Sequence, residues 1–159
     1  MLEDNVIVDA LRQACGDAVR GHAVFRGQLS IDVDGARIVD LCTFLRDDER
    51  LRFDMLTDLT AVDYLPAEPR FQVVYNLYSF AHNRRLRLKV PLALNDTIAT
   101  VEGVWKAATW LEREVYDLFG IVFEGHSDLR RILLWDGYVG HPLRKDFPLH
   151  GIPQKVQYR

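Results

Sequence analysis

Two runs separated by a four-residue link, FQVVYNLYSF at 71–80 and RLRLKVPL at 85–92, constrain the fold more than any other part of the chain. The first is aromatic and β-branched. The second alternates Arg85, Arg87 and Lys89 against Leu86, Leu88 and Val90, the pattern of a strand with one face in a core and the other toward water. The link AHNR has the length and polarity of a hairpin turn. Pro91 suits a strand end, where its missing N–H breaks no ladder. A hairpin with one apolar face needs a cover, and the flanking segments supply it.

Residues 2 to about 15 space Leu2, Val6, Ala10, Leu11 and Ala14 as one helical stripe. QLSIDVD at 28–34 alternates like a half-buried strand. After Asp34-Gly35 the stripe Ile38, Leu41, Cys42, Leu45 has helical period and ends in the charged RDDER turn. LRFDMLTDLTAVDY at 51–64 reads as extended, and the stretch from Pro66 to Pro69 turns the chain. From Val101 a long helix is expected, with Val101, Val104, Trp105, Ala108, Leu111, Val115, Leu118 and Phe119 on one face. Gly120 stops it. The order α-β-α-β-β-β-α predicts an α+β domain over 1–123, a two-layer sandwich of a mostly antiparallel four-stranded sheet with helices. Residues 124–159 are expected to form an extended docking segment and C-terminal tail. Periodicity fades there, and three of the six prolines, Pro142, Pro148 and Pro153, fall in it. A segment of that length without its own regular structure points to a function or to a partner that holds it.

Composition narrows the function. The chain has 159 residues, 48% of them hydrophobic, with a formal net charge of −3, which suits one soluble domain with a real core rather than an electrostatic nucleic-acid binder. Cys15 and Cys42 are far apart and outside any CxxC spacing. They read as small buried hydrophobes, and two cysteines fall short of the four ligands an iron–sulfur cluster takes. No apolar run approaches a membrane span, and the acidic N-terminus is unlike a leader peptide.

Motifs of chemistry are equally sparse. The ten glycines form neither GxGxxG nor a phosphate-binding loop. His126 and His141 lie fifteen residues apart without HxxxH or HExxH spacing, so both read as satisfied polar histidines. For acid–base work the candidates are His141 with Asp146, and the pair Glu112/Glu114. On a helix that pair points about 200° apart, which is no carboxylate dyad. Arg113 and Asp117, four apart, read as a helix-surface pair, and Trp105 and Trp110 as core aromatics. Catalytic, cofactor-binding and metal-binding residues are therefore all expected to be absent.

What remains is the stretch GHSDLRRILLWDGYVGHPLRKDFPL at 125–149. It interleaves arginine and aromatic side chains with aliphatics, the types enriched in protein–protein interface cores. Read as solvated loop, it would leave Ile132, Leu133, Leu134, Trp135 and Phe147 exposed, a patch that marks an interaction site. A free-standing enzyme using His126, His141 and Asp146 is the competing reading.

The block from Glu112 to Leu149, with LTAVDY at 59–64, FQVVYNLYS at 71–79 and ATWLERE at 108–114, resembles the 30 kDa (C-subunit) family of respiratory complex I, the proton-pumping NADH–quinone oxidoreductase. The resemblance covers about residues 51–150. It implies a cofactor-free subunit of the peripheral arm that supports the quinone-reducing module, with FMN and iron–sulfur clusters carried by other subunits. The implied partners are the large hydrogenase-like subunit and the cluster-bearing subunits of that module, with no nucleic acid and no membrane span. The implied location is the cytoplasmic side of a prokaryotic inner membrane. The alternative is a homologous subunit of an energy-converting hydrogenase or related ion-pumping complex. The residues expected to meet partners are Glu112, Arg113, Glu114, Asp117, His126, Arg130, Arg131, Trp135, His141, Arg144, Lys145, Asp146 and Phe147. Ser127 stands where the family commonly has proline, which implies a looser turn.

Overall fold

A computed structural model describes residues 2–153 of the chain, so the end of the expected tail, 154–159, lies outside the described residues. The elements run α1 (Asp4–Cys15), β1 (Val19–Phe25), β2 (Gln28–Val33), α2 (Ile38–Asp47), β3 (Met55–Asp63), β4 (Phe71–Ser79), β5 (Arg84–Leu92), β6 (Thr97–Ala99), α3 (Ala108–Phe119) and β7 (Val122–Glu124). The main sheet has five strands in the order β1-β2-β5-β4-β3. Every neighbouring pair is antiparallel except β2 with β5. β6 and β7 make a separate parallel pair.

The expected hairpin is present, with Phe71 opposite Leu92 and Ser79 opposite Arg84. Leu86, Leu88, Val90, Val73, Tyr75 and Leu77 are buried on one face, in the same core as Ile7, Leu11, Leu41, Leu45 and Val115 of the helices. The other face presents Arg85, Arg87 and Lys89 beside Tyr78, Asn76 and Val74. Helices therefore cover one side only, which makes the expected two-layer α+β sandwich.

The sheet has five strands rather than the expected four. The extra strand, VRGHAVF of β1, lies at the sheet edge and is largely exposed. An edge strand with little apolar surface to bury carries no alternation to read. The last helix is also shorter than its stripe. Residues 101–107 are a chain of turns, with Val104 and Trp105 N–H groups both donating to Val101 O. Val101, Trp105 and Ala108 remain in the core, because successive turns repeat nearly as a helix does. Gly103 weakens a continuous helix by about 1 kcal/mol. The buried Glu112 accepts the Val101 N–H at 2.8 Å and so fixes the turns in place.

Trp105 is a core residue whose indole N–H donates to Phe53 O at 3.2 Å. Trp110 is 60% exposed, against expectation. Arg113 and Asp117 are buried rather than paired on the helix surface. The reason lies in the segment that follows β7.

Candidate functional site

Helix α3 presents two charges one turn apart to the chain that returns over it. Asp117 is fully buried. Its Oδ2 accepts the N–H groups of Ile132, Leu133 and Leu134 at 3.0, 2.8 and 2.9 Å, and its Oδ1 accepts Arg131 Nη1 at 2.7 Å. Arg113 grips the same turn from its carbonyl side, donating to Arg130 O and Arg131 O, each at 3.1 Å. Burial pushes the Asp117 carboxyl up, but the three N–H groups and the Arg131 guanidinium outweigh it and hold the group below the usual carboxylate range.

Further contacts fasten the rest of the strip. Arg131 also donates to Gly140 O at 3.0 Å and lies over the Tyr138 ring. Tyr138 meets Trp135 edge-on at 4.8 Å and stacks toward Phe147 at 6.4 Å. His141 Nδ1 bonds Asp117 O at 2.9 Å. Burial is the largest influence on His141 and lowers its pKa, with Arg144 and Arg131 adding to the shift. Arg144 donates to Phe119 O and stands over the Phe71 ring. Both side chains crowd Gly120, where φ is +74° and an added Cβ would lie 2.6 Å from His141 Nε2 and Arg144 Nη2.

The far end is tied by a second buried charge. Arg70 pairs with Asp63 at 2.7 Å, both almost wholly buried, and reaches the half-exposed Asp146 at 2.8 Å. Asp63 also accepts the Lys145 N–H at 2.8 Å. The Arg70 guanidinium holds the Asp63 carboxyl well below the carboxylate range. Sequence reasoning missed Asp63 and Arg70. Two charges seven residues apart on either side of a proline turn look like ordinary surface residues until the turn closes.

The near end is fixed by histidine. His126 bonds Thr109 O through Nε2 at 3.0 Å and accepts the Asp128 N–H at Nδ1, also at 3.0 Å. A carbonyl only accepts, so the ring proton sits on Nε2. Glu112, fully buried, accepts Thr100 Oγ1 and the Val101 N–H. Burial raises its pKa, against those two bonds. Ser127 is tied within the turn: its N–H and hydroxyl both donate to Glu102, at 2.9 and 3.1 Å.

These contacts redistribute the thirteen residues expected to meet partners. Glu112, Arg113 and Asp117 are buried among the chain's own groups, and His126, Arg131, His141 and Arg144 are tied to its own carbonyls and carboxylates. His141 and Asp146 do not come together as an acid–base pair, since Asp146 turns to Arg70. Glu114, Arg130, Trp135, Lys145 and Asp146 are exposed, and Phe147 is half-buried. Among the described residues no group of three or more His, Cys, Asp or Glu side chains is placed to hold a metal ion.

The outer surface of the strip mixes charged side chains, among them Arg130, Asp136 and Lys145, with large apolar ones. Pinning the N–H groups of residues 132–134 inward leaves Ile132 and Leu133 facing out, followed by the exposed Trp135, Val139, Leu143 and Leu149. Trp110 belongs with them, held over the Arg113 guanidinium at 5.3 Å. The strip is a charge-locked frame that carries exposed apolar side chains.

Residues 31–153 match the family described as respiratory-chain NADH dehydrogenase, 30 Kd subunit. The C-subunit of NADH-quinone oxidoreductase from Geotalea uraniireducens is 51% identical over 160 residues, covering 100% of this chain and 96% of that protein. Its counterpart from Geobacter sulfurreducens is 49% identical, covering 100% and 98%. Among solved structures, a trypsin-resistant fragment of Nqo5 superposes with a TM-score of 0.65 at 33% identity, covering 77% of this chain and 98% of the fragment. A chain of a membrane-bound sulfane sulfur reductase, an archaeal respiratory membrane complex, superposes with a TM-score of 0.76 at 26% identity, covering 92% and 85%. The chain belongs to the respiratory-chain NADH dehydrogenase 30 kDa subunit family.

Proposed function

We propose that this protein is the 30 kDa-type subunit of an NADH-quinone oxidoreductase, a non-catalytic and cofactor-free member of the peripheral arm. The observation that carries the docking role is the clasp of Arg113 and Asp117, which turns the backbone of residues 130–134 inward and leaves the apolar ridge bare. Ridges of Leu, Trp and Val of this kind are stable in water only at a cost, and are relieved by burial against another protein. The partners are the large hydrogenase-like subunit and the cluster-bearing subunits of the quinone-reducing module. Among the described residues, 2–123 form the body and 124–153 the docking segment.

No helix among the described residues is long and apolar enough to cross a membrane, which suits attachment through other subunits on the cytoplasmic side of a prokaryotic inner membrane. A role in a different ion-pumping complex is the second reading, and its support is the likeness to the sulfane sulfur reductase chain. The names and full-length identity of the bacterial relatives favour the first.

The test is purification of the tagged chain from its own membranes under mild detergent. Co-elution of NADH-driven quinone reduction, with loss of that activity on deletion of the gene, is the expected result. Elution with hydrogen- or sulfur-linked activity, or alone, would overturn the reading.

A further inference from the structure

The far end of the strip, at Lys145 and Asp146, is tied to the end of the sheet where Asp63 and Arg70 sit. At the opposite end a second surface is built by different strands. β2 and β5 are parallel neighbours, with Leu29 beside Leu86, so the β1–β2 and β4–β5 turns project the same way. They carry Phe25, 71% exposed, and Phe80, 64% exposed. Tyr78 meets Phe80 edge-on at 5.0 Å and bonds Asn83 across the turn at 2.8 Å, so the aromatic tip is held rather than loose. Between the turns an open groove is lined by Arg26, Gln28, Tyr78, Phe80 and Arg85.

The charge at this end is unusual for the molecule. The chain has a net charge of −3, and its arginines elsewhere are mostly matched by carboxylates: Arg20 with Asp34, Arg37 with Asp40, Arg46 with Asp47, Arg50 with Asp48, Arg70 with Asp63, and Arg131 with Asp117. Among the described residues, Arg26, Arg85 and Arg87 have no carboxylate within 4.0 Å. Arg26 rests on the Phe25 ring at 5.2 Å. Arg87 is oriented by neutral amides, donating to Asn76 at 3.0 Å and Gln28 at 2.9 Å. Asp58 is the carboxylate beside Arg85 and Arg87, and one negative charge does not balance the three. Arg12 and Arg144 are the other described arginines without such a partner, and both stand apart from this groove.

We infer that the end of the sheet formed by Phe25, Arg26, Phe80, Arg85 and Arg87 is a second docking surface, which takes an acidic segment of another protein subunit. This rests on the reading of the chain as part of a larger complex. Carboxylates supply what the three guanidinium groups lack. The two exposed phenyl rings flank them as the apolar anchors that such interfaces carry. A surface at each end of the sheet lets one small subunit bridge two neighbours.

The experiment is photo-cross-linking in the assembled complex, with p-benzoylphenylalanine in place of Phe80 and, as a reference, in place of Leu133. Phe80 is exposed, so the probe leaves the fold intact. The expected result is a cross-link from position 80 to a second subunit, within a peptide rich in Asp and Glu. Arg26→Glu with Arg85→Glu should lower its yield on the order of 10-fold, as lost charge complementarity does. A probe at 80 that captures only water, lipid, or a neutral or basic peptide overturns the inference, and so does a yield indifferent to both charge reversals. Capture from Leu133 alone would leave the first docking reading standing and sink this one. Failure of the chain to co-purify with any complex would sink both.

Discussion

Arg113 and Asp117 sit one helical turn apart with opposite charge and do not pair with each other. Arg113 donates to the carbonyls of Arg130 and Arg131, while Asp117 accepts the N–H groups of Ile132, Leu133 and Leu134. The helix thus reads both polarities of one irregular turn. Removing the Asp117 carboxylate leaves three inward N–H groups without their acceptor and takes from Arg131 its ion pair, though not its bonds to Asp117 O and Gly140 O. Asp117→Ala should cost about 3–5 kcal/mol of stability, measured by urea unfolding of the isolated chain. Asp117→Asn keeps an acceptor oxygen for the N–H groups and should cost distinctly less. Equal, small losses for both would show that the clasp does not hold the strip.

The body of the fold was legible because burial follows alternation. The β4–β5 hairpin, β2, α1 and α2 all have one apolar face toward a single core. β1 was not legible, since an exposed edge strand has no such pattern. The strip was legible in composition but not in wiring. Its residue types are those enriched at interfaces, yet nothing local says that Arg131 will find Asp117 fourteen residues earlier, or that Asp146 will find Arg70 across the molecule. Arg113, Asp117, Arg131 and Arg144, expected to meet partners, bind the chain's own groups, and Leu133, Trp135 and Leu143 among them are exposed.

The pH dependence of stability should have two opposing parts. Asp63, Asp117 and Asp146 have folded pKa values below the ordinary carboxylate value, Asp63 and Asp146 chiefly through Arg70, Asp117 because its hydrogen bonds outweigh burial. Each contributes stability that is full above about pH 4 and is lost as pH falls through its lowered folded value. Glu112 is shifted the other way by burial. Its contribution is full below its unfolded value near ~4.3 and is lost as pH rises through its raised folded value. Glu112→Gln should therefore remove the loss on the alkaline side while leaving the acid limb unchanged. Urea midpoints from pH 3 to 8 measure both limbs. An acid limb that vanished in Glu112→Gln would contradict the assignment.

Gly120 ends α3 at φ +74° with His141 and Arg144 packed against it. Alanine there strains the backbone and pushes on two side chains already tied to Asp117 O and Phe119 O. Gly120→Ala should destabilise by about 1–3 kcal/mol, with a matching rise in hydrogen exchange at residues 141–147. Gly137→Ala is the contrast: its φ is also positive, but nothing lies within 4 Å of an added Cβ. It should cost less and leave exchange in that segment near the wild-type rate.

The last prediction separates docking from self-adhesion. Arg144 resembles a docking residue in sequence, but it is half-buried, donates to Phe119 O and stacks over Phe71. Arg144→Ala should lower the unfolding midpoint of the isolated chain, so any loss of assembled complex follows from a weakened subunit. Leu133 is 62% exposed, and its side chain is free of such duties. Leu133→Asp should leave isolated stability within about 0.5 kcal/mol, yet reduce association by about 2 kcal/mol or more, a loss of roughly 30-fold. Native-gel quantitation of the complex, beside NADH-driven quinone reduction in the same membranes, reads both. Activity per assembled complex should stay constant in each variant. Normal assembly of Leu133→Asp would show that the apolar ridge faces solvent in the complex, and the docking role would then have to be sought elsewhere on the chain.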